Sequence, residues 1–184
     1  MIVTPNRSLS KEVEDLLNEQ IRMEGQSSAY YLSMASWCET QGYEHSAQFL
    51  YQHSEEERGH MLKLFQYVNE AGGHALQPEV TDIKHSFKSL REVFEATLEH
   101  EINVTNSIHE IVDKCLASKD YTSFNFLQWY VAEQHEEETL FKSVLDKINL
   151  VGHDGHALFF VDKDLAAMAK NDAVPASIMS DSNA

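Results

Sequence analysis

Apolar residues recur every three or four positions from Val13 to Trp37 (Val13, Leu16, Leu17, Ile21, Met23, Tyr30, Tyr31, Met34, Trp37), the period of a helix with one buried face. Ser10 stands where an N-cap belongs, Glu12, Glu14 and Asp15 occupy the first turn, and Gln41-Gly42 closes the run. A second helix is predicted from about Glu44 to Ala71, stopped by Gly72-Gly73. His74 to Lys88, which includes Pro78, has little periodicity. Ser89-Leu90-Arg91-Glu92 has the form of a capping box and opens a third helix that fades near Ala117-Ser118. A fourth starts between Asp120 and Ser123 and reaches about Asn149. Gly152 and Gly155 interrupt it, and a shorter helix follows from about His156 to Ala169. Residues 1–170 read as one domain and residues 171–184 as a mobile tail.

The short links after the first and third helices predict two antiparallel hairpins. The segment between the second and third is too long for a tight turn. At ~1.5 Å per residue each long helix spans ~40–45 Å, and an extended crossover can run along much of that length. The predicted fold is an all-α antiparallel four-helix bundle with one long crossover and a short fifth, C-terminal helix.

Composition agrees: only 7 Gly and 3 Pro punctuate 184 residues, which favours a few long helices. A net charge of -16 argues against nucleic acid or an anionic membrane as partner and suits cations, although a solvated acidic surface gives the same number. Cys38 and Cys115 stand far apart with no Cys-x-x-Cys, so a disulfide framework and thiolate metal sites have no support. No apolar run reaches membrane-spanning length and MIVTPNRSLSKE has no signal-peptide core, so a cytoplasmic location is expected.

Glu57-Arg58-Gly59-His60 is the only Glu-x-x-His, a spacing that puts a carboxylate and an imidazole on one helix face. Alone the motif is weak, because ten His and many Glu produce such pairs by chance. Register strengthens it. Glu24 and His60 lie equally far from Gly42, and Glu101 and Glu137 equally far from Lys119, so all four helices offer a ligand at one height. A shift of 77 residues also carries Glu24 to Glu101, Glu57 to Gln134, His60 to Glu137, Glu56 to Glu133, Phe49 to Phe126, Leu50 to Leu127 and Cys38 to Cys115. The halves read as two copies of one helical hairpin about a pseudo-two-fold axis. Carboxylates on core-bound faces are costly unless a metal or a proton compensates them.

LNEQ (Leu17 to Gln20), the Ala47 to His60 segment and above all FNFLQWYVAEQHEEE (Phe124 to Glu138) give the sequence from Leu16 to about Leu165 a resemblance to the bacterial non-haem ferritins. The resemblance implies a ferritin-like bundle that assembles as a homo-oligomeric shell of 24 subunits, stores iron and oxidises Fe(II) with O2 or H2O2. It implies one iron at Glu24, Glu57 and His60, a second at Glu101 and Glu137 with Glu57 shared and Gln134 alongside, and a third, weaker site at Glu56, Glu133, Glu136 and Glu137. It also assigns electron donation to Tyr31, with Trp129 as an aromatic neighbour, though core packing explains both aromatics equally well. Arg58 stands where haem-binding relatives carry a methionine, so no haem is expected. Gly25 and Gly59 depart from the family pattern and either loosen the site or admit a close neighbour. The acidic runs Glu55–Glu57 and Glu136–Glu138 either guide iron or form solvated faces. Phe159, Phe160 and Leu165 either cap the bundle or meet another subunit.

Overall fold

The computed structural model describes residues 9–152 and 155–171, with side chains through residue 168. The tail from residue 172 onwards lies outside the described residues. Among those described there are five helices: α1 (Lys11–Thr40), α2 (Glu44–Glu70), α3 (Leu90–Ser118), α4 (Tyr121–Val151) and α5 (Gly155–Asn171). α1 packs along α2 and α3 along α4 as two hairpins, α1 also meets α3, and α5 lies against α2 and α4. None is long and apolar enough to cross a membrane.

The hairpin turns are copies of one another. In the first, Tyr43 N–H donates to Cys38 O and Gly42 N–H to Glu39 O. In the second, Asp120 N–H donates to Cys115 O and Lys119 N–H to Leu116 O. Both are Schellman closures that need a left-handed residue. Gly42 (φ 84°) adopts that conformation freely, whereas Lys119 (φ 59°) carries a Cβ through it. Ser10 and Ser89 cap α1 and α3 by accepting from Val13 N–H and Glu92 N–H. The return arm of the predicted capping box is displaced by one residue: Glu92 accepts from Lys88 N–H (2.5 Å), not from Ser89.

The crossover runs beside α1 in the same direction. Asn18 bonds His74 O and Leu76 N–H, Gln26 bonds Thr81 O and N–H, and Ser33 donates to Lys84 O. Residues 18, 26 and 33 share one stripe of α1, so these polar side chains hold an extended strap that has no ladder of its own. At Gly25 the strap comes close: an added Cβ would lie 2.9 Å from Pro78 Cγ and 3.3 Å from Met61 Sδ. A Cβ at Gly59 would meet nothing within 4 Å. Gly25 therefore admits a close neighbour and Gly59 does not.

α5 is seated by both apolar and polar contacts. Leu165 and Val161 are buried with Phe94, Phe141 and Ile148, while Phe159 and Phe160 stay exposed. Asp162 reaches the start of α2 and accepts from Ser46 N–H (2.8 Å), Ser46 Oγ–H (2.5 Å) and His45 N–H (3.3 Å). Tyr43, the residue at the N-cap position of α2, makes no side-chain cap, so the fifth helix supplies that cap instead.

The core is divided. One apolar cluster contains Tyr31, Met34, Phe49, Phe94 and Phe141; the other contains Val13, Ile21, Leu64, Ile108 and Leu127. Between them lies a buried polar layer.

Candidate metal centre

Each long helix contributes to that layer. Glu24 comes from α1, Glu57 and His60 from α2, Glu101 from α3, Gln134 and Glu137 from α4; all are buried. The helices have no choice about this: the same periodicity that buries Ile21, Leu64, Val104 and Leu127 turns these positions inward.

Ligand atoms of Glu24, Glu57 and His60 lie within 4.8 Å of one another. His60 Nδ1 is 3.6 Å from Glu57 Oε2 and 3.8 Å from Glu24 Oε2. Glu24 Oε2, Glu57 Oε1 and His60 Nδ1 are buried without a hydrogen-bond partner. Orphaned polar atoms of this kind are costly, and residues that leave them while bringing ligand atoms within 4.8 Å of one another are what a cation-binding pocket needs. Gln20 Nε2 holds the other Glu24 oxygen at 2.5 Å.

Glu101 is oriented by neighbours. Tyr31 O–H donates to one carboxylate oxygen, and Gln134 Nε2 donates to the other at 3.0 Å. Burial nevertheless outweighs both bonds and pushes the Glu101 carboxyl up to about 7. Glu57 is pushed well above the ordinary carboxylate range, first by burial and then by Glu24, Glu101 and Glu137. A residue that feels all three of the other carboxylates sits at the centre of the group. Burial drives the His60 imidazole pKa down, against the pull of Glu24, which favours a neutral, ligating ring. Burial and Glu101 raise the Tyr31 phenol well above its usual value.

The remaining sequence candidates divide. Glu56 joins two groups of possible ligands, one with His53 and Glu137 and one with His60 and Glu133. Glu136 is exposed and belongs to neither. Glu101 falls in no group of three, since its oxygens turn to Tyr31 and Gln134. Trp129 stacks on Tyr130 (4.6 Å, 2°), meets His60 at 5.4 Å and has Lys63 Nζ 3.3 Å above its ring. The aromatic neighbours of Tyr31 are His100 and Phe141.

His53 and Tyr130 are site neighbours that the sequence reading did not single out. His53 Nε2 lies 3.6 Å from Glu137 Oε2, and the buried Tyr130 ring is 5.4 Å from His60. Their signal was present. The 77-residue shift that relates the ligands also carries His53 onto Tyr130, so each flanks the ligand belonging to the other half.

A four-helix bundle with one long crossover and a buried carboxylate–histidine centre at mid-height defines the ferritin-like class. The ferritin-like domain pattern matches residues 14–151. A probable bacterial non-heme ferritin-like protein of Haemophilus influenzae is 52% identical over 161 residues, covering 88% of this chain and 98% of that protein. The bacterial non-heme ferritin of Campylobacter jejuni is 48% identical, covering 88% and 96%. An open pore ferritin from the hyperthermophilic archaeon Archaeoglobus fulgidus superposes with a TM-score of 0.85 at 39% identity, covering 88% and 98%. The chain belongs to the ferritin family.

Proposed function

We propose that the chain is a subunit of a cytoplasmic iron-storage shell of 24 copies, and that the buried centre oxidises Fe(II) before it is stored as ferric mineral. The observation that carries this reading is the charge balance of the centre. Glu24, Glu57 and Glu101 are buried together, and among the described residues no Lys or Arg forms an ion pair with any of them. Burial favours protons on Glu57 and Glu101 in the absence of metal, and divalent cations neutralise the group better. Oxygen-rich ligation with one imidazole suits ferrous and ferric iron.

In this reading Glu24, Glu57 and His60 hold one ferrous ion. Glu57, Glu101 and Glu137 hold the second, with Gln134 beside it, and Glu57 is shared. Binding displaces the protons that burial keeps on Glu57 and Glu101. Held as a pair, the two ions deliver one electron each to O2 or H2O2, and the ferric products leave for the shell interior. Tyr31, through its bond to Glu101, is placed to supply a further electron. Glu56, Glu133, Glu136 and Glu137 are the proposed third site, and His53 is a better-positioned partner there than Glu136.

Oxygen uptake after adding ferrous iron tests the enzymatic claim. The unmodified protein should consume oxygen in proportion to iron, and Glu57→Ala should slow the initial phase at least ~10-fold. Absence of uptake, or a Glu57→Ala protein as fast as the parent, would remove the claim. Sedimentation of the same sample tests the shell: a monomer or dimer would remove storage and leave oxidation standing.

A further inference from the structure

The aromatic contacts of Tyr31 continue outward, away from the metal centre. Edge-on to its ring, at 6.0 Å and 81°, is His100. The same imidazole meets Tyr30 at 6.0 Å and 62°. His100 is fixed between the two phenols by Ser27. The Ser27 hydroxyl spends its proton on Met23 O (2.9 Å), so at 2.5 Å it accepts from His100 Nε2–H. Tyr30 is partly exposed and flanked by Phe87 of the crossover (6.3 Å), whereas Tyr31 is wholly buried. Two phenols of unequal exposure thus share one clamped ring, and the inner phenol hydrogen-bonds a candidate iron ligand.

Resting on the ferroxidase reading, we propose that Tyr30 is a second redox-active residue of this protein, reached from Tyr31 across His100, and that it carries oxidising equivalents from the buried centre to the surface. Dioxygen at the ferrous pair is the oxidant. It takes one electron from Tyr31, whose phenolic proton shifts along its hydrogen bond to Glu101. Tyr30 then gives one electron to the Tyr31 radical and releases its own phenolic proton to solvent, while the Tyr31 proton returns. The net step converts a Tyr31 radical and a Tyr30 phenol into a Tyr31 phenol and a Tyr30 radical. A ferrous ion in solution reduces the Tyr30 radical, leaving as ferric iron while the phenoxyl takes up a proton. One electron from outside is thereby delivered to dioxygen without an iron ion having to enter the centre.

His100 is a positioning residue in this scheme and Tyr30 the redox partner, so radicals are the readout. The full-length assembled protein is mixed aerobically with ferrous iron, freeze-quenched and examined by electron paramagnetic resonance, with oxygen uptake recorded on the same samples. The unmodified protein should give a tyrosyl signal with a Tyr30 component. Tyr30→Phe, which keeps the ring, should lose that component and leave a Tyr31 signal living several-fold longer. His100→Leu should also prolong the Tyr31 signal although Tyr30 is present. Oxygen uptake without any tyrosyl signal, or a Tyr30→Phe signal unchanged in shape and lifetime, would overturn the relay and leave the ferroxidase reading intact. No oxygen uptake in the unmodified protein would remove both. Should His100→Leu fail to fold, Tyr30→Phe decides alone.

Discussion

At the scale of single residues, two glycines near the metal centre have opposite meanings. Gly25 lacks a side chain because Pro78 occupies its space, and a proline ring cannot swing aside as a long side chain would. Gly25→Ala should therefore destabilise the fold by about 1–2 kcal/mol, the overpacking strain exceeding the gain in helix propensity. Gly59 is exposed and open, so Gly59→Ala should stabilise by up to ~1 kcal/mol. Urea unfolding of the two variants checks both signs; equal shifts in one direction would contradict the distinction. From the sequence these glycines were indistinguishable, because what separates them is a strap more than fifty residues away. Glu24, His60, Glu101 and Glu137 were legible because equal distance from a turn becomes equal height in an antiparallel hairpin, Glu57 from its spacing to His60, and Gln134 from the internal shift. His53 and Tyr130 were passed over because neither belongs to a ligand motif; only the internal shift relates them.

At the scale of elements, the helices and both turns followed from periodicity and capping chemistry, which are local. The fifth helix was legible as a helix, but its seat was not. Asp162 caps α2 from more than a hundred residues away, a relation that no spacing rule encodes. Asp162→Ala removes the acceptor for the first N–H groups of α2 and should cost about 1–2 kcal/mol. Amide exchange would locate the loss: faster exchange at Ser46 and along α5, with α3 unaffected, is expected, and uniform change across the bundle would contradict a local cap. The turns offer a complementary test. Lys119 holds a left-handed conformation that Gly42 adopts in the matching hairpin, so Lys119→Gly should raise stability by about 1 kcal/mol by thermal unfolding.

At the scale of the whole molecule, a buried acidic layer between two apolar clusters links stability, pH and metal. The metal-free protein holds a proton on Glu101 up to about pH 7, while the unfolded chain releases it near the ordinary value of 4.5. Between those values the folded state binds more protons than the unfolded state, so stability falls as pH rises. The full span is on the order of 3 kcal/mol for this group, Glu57, shifted the same way, adds to it, and the His60 and His100 imidazoles, pushed down by burial, offset part of it. The metal-free protein should thus melt at a lower temperature at pH 7.5 than at pH 5.5, and a divalent cation should remove or reverse the difference by replacing the protons. A melting temperature that rises with pH in the absence of metal would contradict this linkage.

The proposed metal pair is unequal and shares Glu57. Anomalous diffraction at the iron edge, from crystals loaded anaerobically with increasing ferrous iron, measures it directly. Iron should fill the position between Glu24, Glu57 and His60 first, because that position has the histidine and its three residues already bring ligand atoms within 4.8 Å of one another. The position between Glu57, Glu101 and Glu137 should fill only at higher loading, after the Glu101 oxygen held by Gln134 turns to the metal while the other keeps its bond to Tyr31. Equal occupancy of both positions at every loading would contradict the asymmetry, and iron bound only outside the four-helix layer would contradict the centre itself.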